Sequence, residues 1–164
     1  GIDVARASGI DHIAASTGRT SEEAVRKHHD LPDAALIDMG DFAGGLFKSL
    51  RRHPLPRLTI AGGPGKITKL AQGAMDLHSS KSRVDMVALS DLLASLGADN
   101  KTIAQAKDAN TAAEVLEAAE AIGLSLGDLI ARQAREAALA TLSGDIAVQV
   151  VIFDGKGNDV GHAG

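Results

Sequence analysis

The stretch His12-Ile13-Ala14-Ala15-Ser16-Thr17-Gly18-Arg19-Thr20-Ser21 decides how this chain reads. Its first six residues are a short, nearly continuous apolar run ending in two hydroxyls, the pattern of a strand buried on both faces. Ser21, with Glu22 and Glu23 behind it, is a good helix start, and the helix runs to about His29. The rhythm then repeats. Leu31-Pro32-Asp33 breaks the helix, and Ala34 to Met39 is a second strand. Gly40-Asp41 opens a second helix, with Phe42, Leu46 and Leu50 on one stripe and Ala43 and Phe47 beside it. His53-Pro54-Leu55-Pro56 stops it. Arg57 to Ala61 is a third strand, Gly62-Gly63-Pro64-Gly65-Lys66 a glycine loop, and a third helix follows to about His78. Three strand–helix units predict a mainly parallel sheet with right-handed crossovers and helices on both faces, a three-layer α/β/α fold.

Outward from these units the character changes. Before them, Ile2 to Gly9 has helical spacing and a glycine stop but no N-cap, which reads as a helix begun upstream. After them come helices over Val84–Leu96, Asp99–Ala109, Thr111–Ile122 and Ser125–Leu142. A long apolar strand, Ile146 to Phe153, and a second, Asp159 to His162, flank the turn Asp154-Gly155-Lys156-Gly157-Asn158 and predict a hairpin. The expected strand order is 3-2-1 for the first three strands, with the hairpin near the first. The length, 164 residues, suits about one domain at roughly 150 residues each. Residues 1–164 therefore read as a single α/β domain.

Composition narrows the function. The net charge is −4, so the basic stripe of a duplex binder is missing. Three Phe and no Trp or Tyr leave almost nothing to stack single-stranded bases on. No nucleic-acid partner is expected. There is no cysteine, which removes disulfides and thiolate sites and fits a reducing, cytoplasmic setting. No apolar run approaches the ~20 residues of a membrane span, so no membrane association is expected. His28 and His29 are adjacent on a helix and should point apart; His12, His53 and His162 read as structural or exposed. With no HxxxH spacing, no metal site is expected.

In an open parallel sheet the ligand crevice lies beyond the carboxyl ends of the strands. Three such ends carry unusual residues here: Ser16-Thr17-Gly18-Arg19, Met39-Gly40-Asp41 and Gly62-Gly63-Pro64-Gly65-Lys66. Their convergence on one rim is a stronger signal than any one loop. The glycine loop lets a ligand approach the backbone at a helix N-terminus, with Lys66 and Lys69 as cations. It fails the phosphate-loop pattern, because Ile60 stands where the first glycine belongs and Ile67 where Ser or Thr belongs. It fails the dinucleotide pattern too, with Thr68 at the last glycine. It is either an anion or cofactor loop or a tight strand-to-helix turn. Thr17 and Gly18 with Arg19 are either a carboxylate or phosphate subsite or a capped turn. Asp41 either faces a ribose or amine or caps the second helix. His78, placed at a helix end, is either an acid–base group or a ring favoured by the helix dipole.

Several separated segments resemble the CbiD family, the cobalt-precorrin-5B C1-methyltransferases of oxygen-independent cobalamin (vitamin B12) biosynthesis. They are Gly1-Ile2-Asp3-Val4-Ala5-Arg6, Asp11 through Glu22, Met39-Gly40-Asp41-Phe42, Gly62 through Ala71, and His78-Ser79, in the family's order. The resemblance implies a C-terminal α/β domain of a two-domain enzyme, with an N-terminal domain of the same enzyme as its partner. It implies S-adenosylmethionine as cofactor and a cobalt corrinoid as substrate. The loop after the first strand lacks the GxGxG-like form of Rossmann-type methyltransferases, so either the cofactor mode differs from theirs or the cofactor uses the third-strand loop. On geometric grounds Thr17, Gly18, Gly40, Asp41, Gly62, Gly63 and Gly65 are the expected cofactor residues. Arg19, Lys66 and Lys69 are the expected clamps for substrate carboxylates. His78 and Asp41 are the expected catalytic pair. Two alternatives stand beside this reading. One is a corrinoid-binding module with no cofactor site of its own; the other is a docking domain that forms a homo-oligomer through an uncovered apolar surface.

Overall fold

The computed structural model describes residues 1–164. Helix α1 (Ile2–Ala7) buries Ile2 and Ala5 and leads into β1 (His12–Ser16). Helix α2 (Arg19–His29) starts two residues earlier than the serine signal suggests. Gly18 is its N-cap, and Ser21 is the third helical residue, whose hydroxyl reaches back to accept from the Gly18 N–H at 3.2 Å. After a short 3-10 turn, β2 (Leu36–Asp38) is only three residues long. Helix α3 (Ala43–Arg52) buries Ala43, Leu46, Phe47 and Leu50. Phe42 is not on its buried stripe: it precedes the helix, is held by an isolated bridge to Asp76, and is 67% exposed. Strand β3 (Arg57–Gly62) runs straight into α4 (Pro64–Ala71), with proline in the first turn, where its missing N–H costs nothing.

Helix α4 stops seven residues before His78, not at it. Gly73, at φ +94°, takes the left-handed turn, and the Ala74 N–H reaches back to Lys69 O at 3.0 Å. Helices α5 (Met86–Ser95), α6 (Asn100–Asp108) and α7 (Ala112–Ala121) follow. Each is N-capped by a side chain, from Asp85, Asp99 and Thr111 in turn. Helix α8 (Leu126–Thr141) leads to β4 (Ala147–Phe153), which forms a hairpin with β5 (Asp159–Ala163). No helix is long and apolar enough to cross a membrane.

The sheet order is β2-β1-β3-β4-β5, parallel except for the β4–β5 hairpin. This corrects the expected order: β1 sits between β2 and β3, and the hairpin adds to β3. The difference is one of direction. The chain steps one way from β1 to β2, then reverses past β1 to reach β3, and keeps that direction to β4. Because parallel crossovers are right-handed, a reversal moves the connecting helix to the other face. Helix α2 therefore packs on one face, while the later helices share the other.

The two faces bury unequal cores. Ile13, Ala15, Leu58, Ile60, Val148, Val150 and Ile152 join a 32-residue cluster with α1 and α3 to α8. Ala14, Ala61, Val151 and Phe153 join only Val25 of α2, in a cluster of five. At the hairpin edge α8 meets β5 backbone to backbone: a Cβ on Gly127 would lie 1.9 Å from Val160 O, and one on Gly161 2.3 Å from the Gly127 carbonyl carbon. Only glycine fits either position. His28 and His29, expected to point apart, have ring centroids 4.8 Å apart in an edge-on arrangement.

Candidate active site at the strand rim

The reversal at β1 and β3 makes a topological switch point, where the loops leaving the two strands diverge to opposite faces and open a crevice. A groove of about 380 Å³ lies there. Thr17, Gly18 and Arg19 form one wall, Gly63, Pro64, Gly65 and Lys66 the second, and Phe153, Asp154 and Gly155 the third. The first turns of α2 and α4 both border the groove, so two sets of unpaired helix N–H groups face one space.

Lys66 ties the three strand ends together. Its ammonium lies 2.8 Å from Asp41 Oδ1 and donates to Thr17 O at 3.0 Å. The ladder extends into the rim as well: the Met39 N–H donates to Ser16 O at 2.9 Å and the Thr17 N–H to Ala61 O at 3.0 Å. Gly40, at φ +55°, turns the chain after β2 with its N–H on Asp38 Oδ1, and this turn delivers Asp41 to Lys66. Hydrogen bonding from Lys66 holds the Asp41 carboxyl below the usual carboxylate range against the opposing effect of burial, with the charges of Lys66, His78 and Lys69 adding to it. A depressed carboxylate contributes stability that is present above its ordinary pKa and lost as pH falls through the folded value. The pair is therefore intact at neutral pH.

His78 reaches the same place by a different route from the one its position in the sequence suggests. The segment after Gly73 folds back over the β2 end. The buried Leu77 donates its N–H to Asp41 O at 2.8 Å, and Lys69 donates to Leu77 O at 2.9 Å. His78 then makes a local turn in which Nδ1 accepts from the Ser80 N–H at 3.1 Å. The neutral ring accordingly carries its proton on Nε2, which has no protein partner.

The glycines divide by what a side chain would meet. A Cβ on Gly62 would lie 2.8 Å from Thr17 Oγ1 and 2.9 Å from Ile67 Cδ1, so Gly62 serves the packing of the strand ends. A Cβ on Gly18, Gly63 or Gly65 would meet no protein atom within 4 Å. Those three border open space inside the groove.

The rim thus gathers Thr17, Gly18, Asp41, Gly63, Gly65 and Lys66, with Lys69 and His78 joined through Leu77. Arg19 lines the outer edge of the groove, where it pairs with Glu23 at 2.9 Å and its side chain is 92% exposed. Sequence reasoning missed the third wall. Burial works against the Asp154 charge, but the N–H and side-chain amide of Asn158 and the N–H of Lys156 outweigh it and hold the carboxyl below its usual range. The signal lay in the end of β4, whose Asp-Gly turn belongs on this rim once β4 is placed beside β3.

Comparison with known proteins points the same way as the motifs. The model of the family described as CbiD, C-terminal domain, matches residues 76–164. A curated relative from Halorhodospira halophila, named cobalt-precorrin-5B C(1)-methyltransferase, is 54% identical over 165 residues, covering 100% of this chain and 44% of the relative. Relatives of the same name from Paramagnetospirillum magneticum and Hahella chejuensis are 57% and 54% identical, with 99% and 98% of this chain covered and 45% and 43% of theirs. This chain spans less than half the length of these relatives. No solved structure matches it.

Proposed function

Because this chain belongs to the CbiD family through its C-terminal domain, we propose that the protein carrying it methylates cobalt-precorrin-5B at C-1 in cobalamin biosynthesis. Its methyl donor is S-adenosylmethionine. Residues 1–164 act as one α/β domain of a longer, two-domain enzyme and supply the rim. The observation that carries this reading is the split among the glycines: Gly62 is closed off by protein, while Gly18, Gly63 and Gly65 border space that no protein atom fills. A cradle of this kind, between two helix N-termini, fits a ligand with a carboxylate and a ribose.

Bound there, the donor supplies an electrophilic methyl group on a sulfonium. The chain's own task is alignment, the main requirement of such a transfer. Thr17, Gly18, Gly63 and Gly65 set the depth of the cradle. Asp41, kept ionised by Lys66, places a fixed negative charge beside it. The Lys66 ammonium has three donors and uses two, on Asp41 and Thr17, which leaves one for a substrate carboxylate. Lys69 uses one on Leu77 O and keeps two. Arg19, fully in solvent, reaches carboxylates at the groove mouth. His78 carries an exchangeable proton on Nε2 beside this set.

Lys66→Met in the full-length protein is the direct test. Methyl transfer to cobalt-precorrin-5B should fall about tenfold or more, the scale of one lost charge-assisted bond plus a displaced Asp41. A folded Lys66→Met protein with undiminished transfer would overturn the proposal.

A further inference from the structure

At the amino ends of β1, β3 and β4, the far end of the strands from the rim, lies a larger cleft of about 660 Å³. Its floor departs from what parallel strands carry. Central strands of such a sheet are expected to be aliphatic on both faces. Here Thr59 of β3 is 1% exposed, and its register partner in β4 is Gln149. His12 of β1 and His29, the last residue of α2, close on the same point, with ring centroids 5.0 Å apart.

The hydrogen bonds run in one direction. The Thr59 hydroxyl donates to Gln149 Oε1 at 3.1 Å, so its oxygen is left to accept from His12 Nε2 at 2.8 Å. Gln149 Oε1 also accepts from His29 Nε2 at 2.5 Å. Both imidazoles accordingly carry their protons on Nε2. With Oε1 taking both donors, the Gln149 Nε2 group has two N–H bonds and no protein partner.

Two guanidiniums stand at the same cleft. Arg135 of α8 donates through Nε to Val148 O at 2.7 Å, a bond that anchors the group and leaves its terminal nitrogens unpaired. Arg57 has one long contact, 3.4 Å from Nη2 to Asp11 Oδ1. Asp11 is the only acidic side chain at the cleft. Two guanidiniums and the Gln149 amide against one acidic side chain make an excess of donors, matched to an anion with several acceptor oxygens. The aliphatic sides of the cleft, Ile10, Leu31 and Leu58 among them, suit a carbon skeleton more than a bare inorganic ion.

We propose that this cleft is a second ligand site that binds a carboxylate-bearing small molecule, recognised by Arg57, Arg135 and the Gln149 amide. The inference does not depend on the function assigned to the rim, since no residue is shared between the two grooves.

Citrate is the probe, titrated calorimetrically into the full-length protein at neutral pH. Saturable binding is expected. Arg135→Gln should weaken it about tenfold, the worth of a charged hydrogen-bonding partner. Arg57→Gln should weaken it several-fold, and because the Arg57 side chain is 56% exposed its loss leaves the fold intact. Lys66→Met, at the rim, should leave citrate affinity unchanged. In labelled protein the imidazole signals of His12 and His29 should move with the same midpoint as the heat. Absence of saturable binding at millimolar citrate would overturn the proposal. Equal affinity in the wild type and both arginine variants, or binding lost only in Lys66→Met, would overturn it as well.

Discussion

One face of the sheet is covered by α1 and α3 to α8 and feeds a 32-residue core; the other is covered by α2 alone and buries five. Both the rim groove and the histidine cleft include residues of α2, the first at its N-terminus and the second at its C-terminus. The molecule keeps its stability on one face and its polar chemistry on the other. Apolar burial on the crowded face holds the strands in place. The thinly covered face is free to carry Thr59, Gln149 and a helix whose two ends serve two clefts.

The largest test of that contrast is a pair of truncations. Phe47→Ala, on the crowded face, should cost about 3–5 kcal/mol of unfolding free energy. Val25→Ala, under α2, should cost about 1–2 kcal/mol. Equal losses in denaturant titrations would break the comparison. Next comes Gly161→Ala, which drives a Cβ into the Gly127 backbone and should cost about 1–3 kcal/mol by overpacking; an unchanged midpoint would mean that α8 can move off β5 freely.

A pH series sharpens the comparison further. Burial, then the neighbouring His29 and Arg57 charges, lower the His12 pKa from its usual 6.5, with Asp11 opposing. The folded state therefore prefers the neutral ring. His12 contributes stability that is fully present above about pH 6.5 and is lost as pH falls below it toward the folded value. His12→Gln should flatten that slope in unfolding measured across pH 5 to 8, roughly the range in which histidine titrates. The smallest expected effect is at Arg19. Fully exposed and paired only with Glu23, it should change to Gln with no shift in the unfolding midpoint, while KM for a carboxylate-rich substrate rises several-fold.

Much of this plan was legible in the residues. The strand–helix rhythm from His12 to Ala71 and the convergence of three strand ends follow from local pattern and from the handedness of crossovers. Lys66 bridging Asp41 and Thr17 makes that convergence concrete. Strand order was not legible, because nothing in a strand's own residues records the direction of the next step. Two departures have local causes. Met75 and Leu77 continue an apolar helical pattern past Gly73, so α4 reads too long; the left-handed turn at Gly73 ends it and sends His78 back to the rim. Phe42 fits a helical stripe by spacing, but its bridge to Asp76 holds it outside α3. Asp154 was hidden by the same error as the strand order.

The cradle of Gly18, Gly63 and Gly65 is proposed to hold the methyl donor. This is tested most directly by calorimetric titration of S-adenosylhomocysteine into the full-length protein, wild type and Gly65→Val. A Cβ at Gly65 meets no atom within 4 Å beyond its chain neighbours and its own helix backbone, so the variant should fold as the wild type does and fill the groove. Wild-type binding should drop at least about tenfold in Gly65→Val, as expected when the space a ligand occupies is taken. Equal affinity in the two proteins would contradict it and place the donor elsewhere in the enzyme.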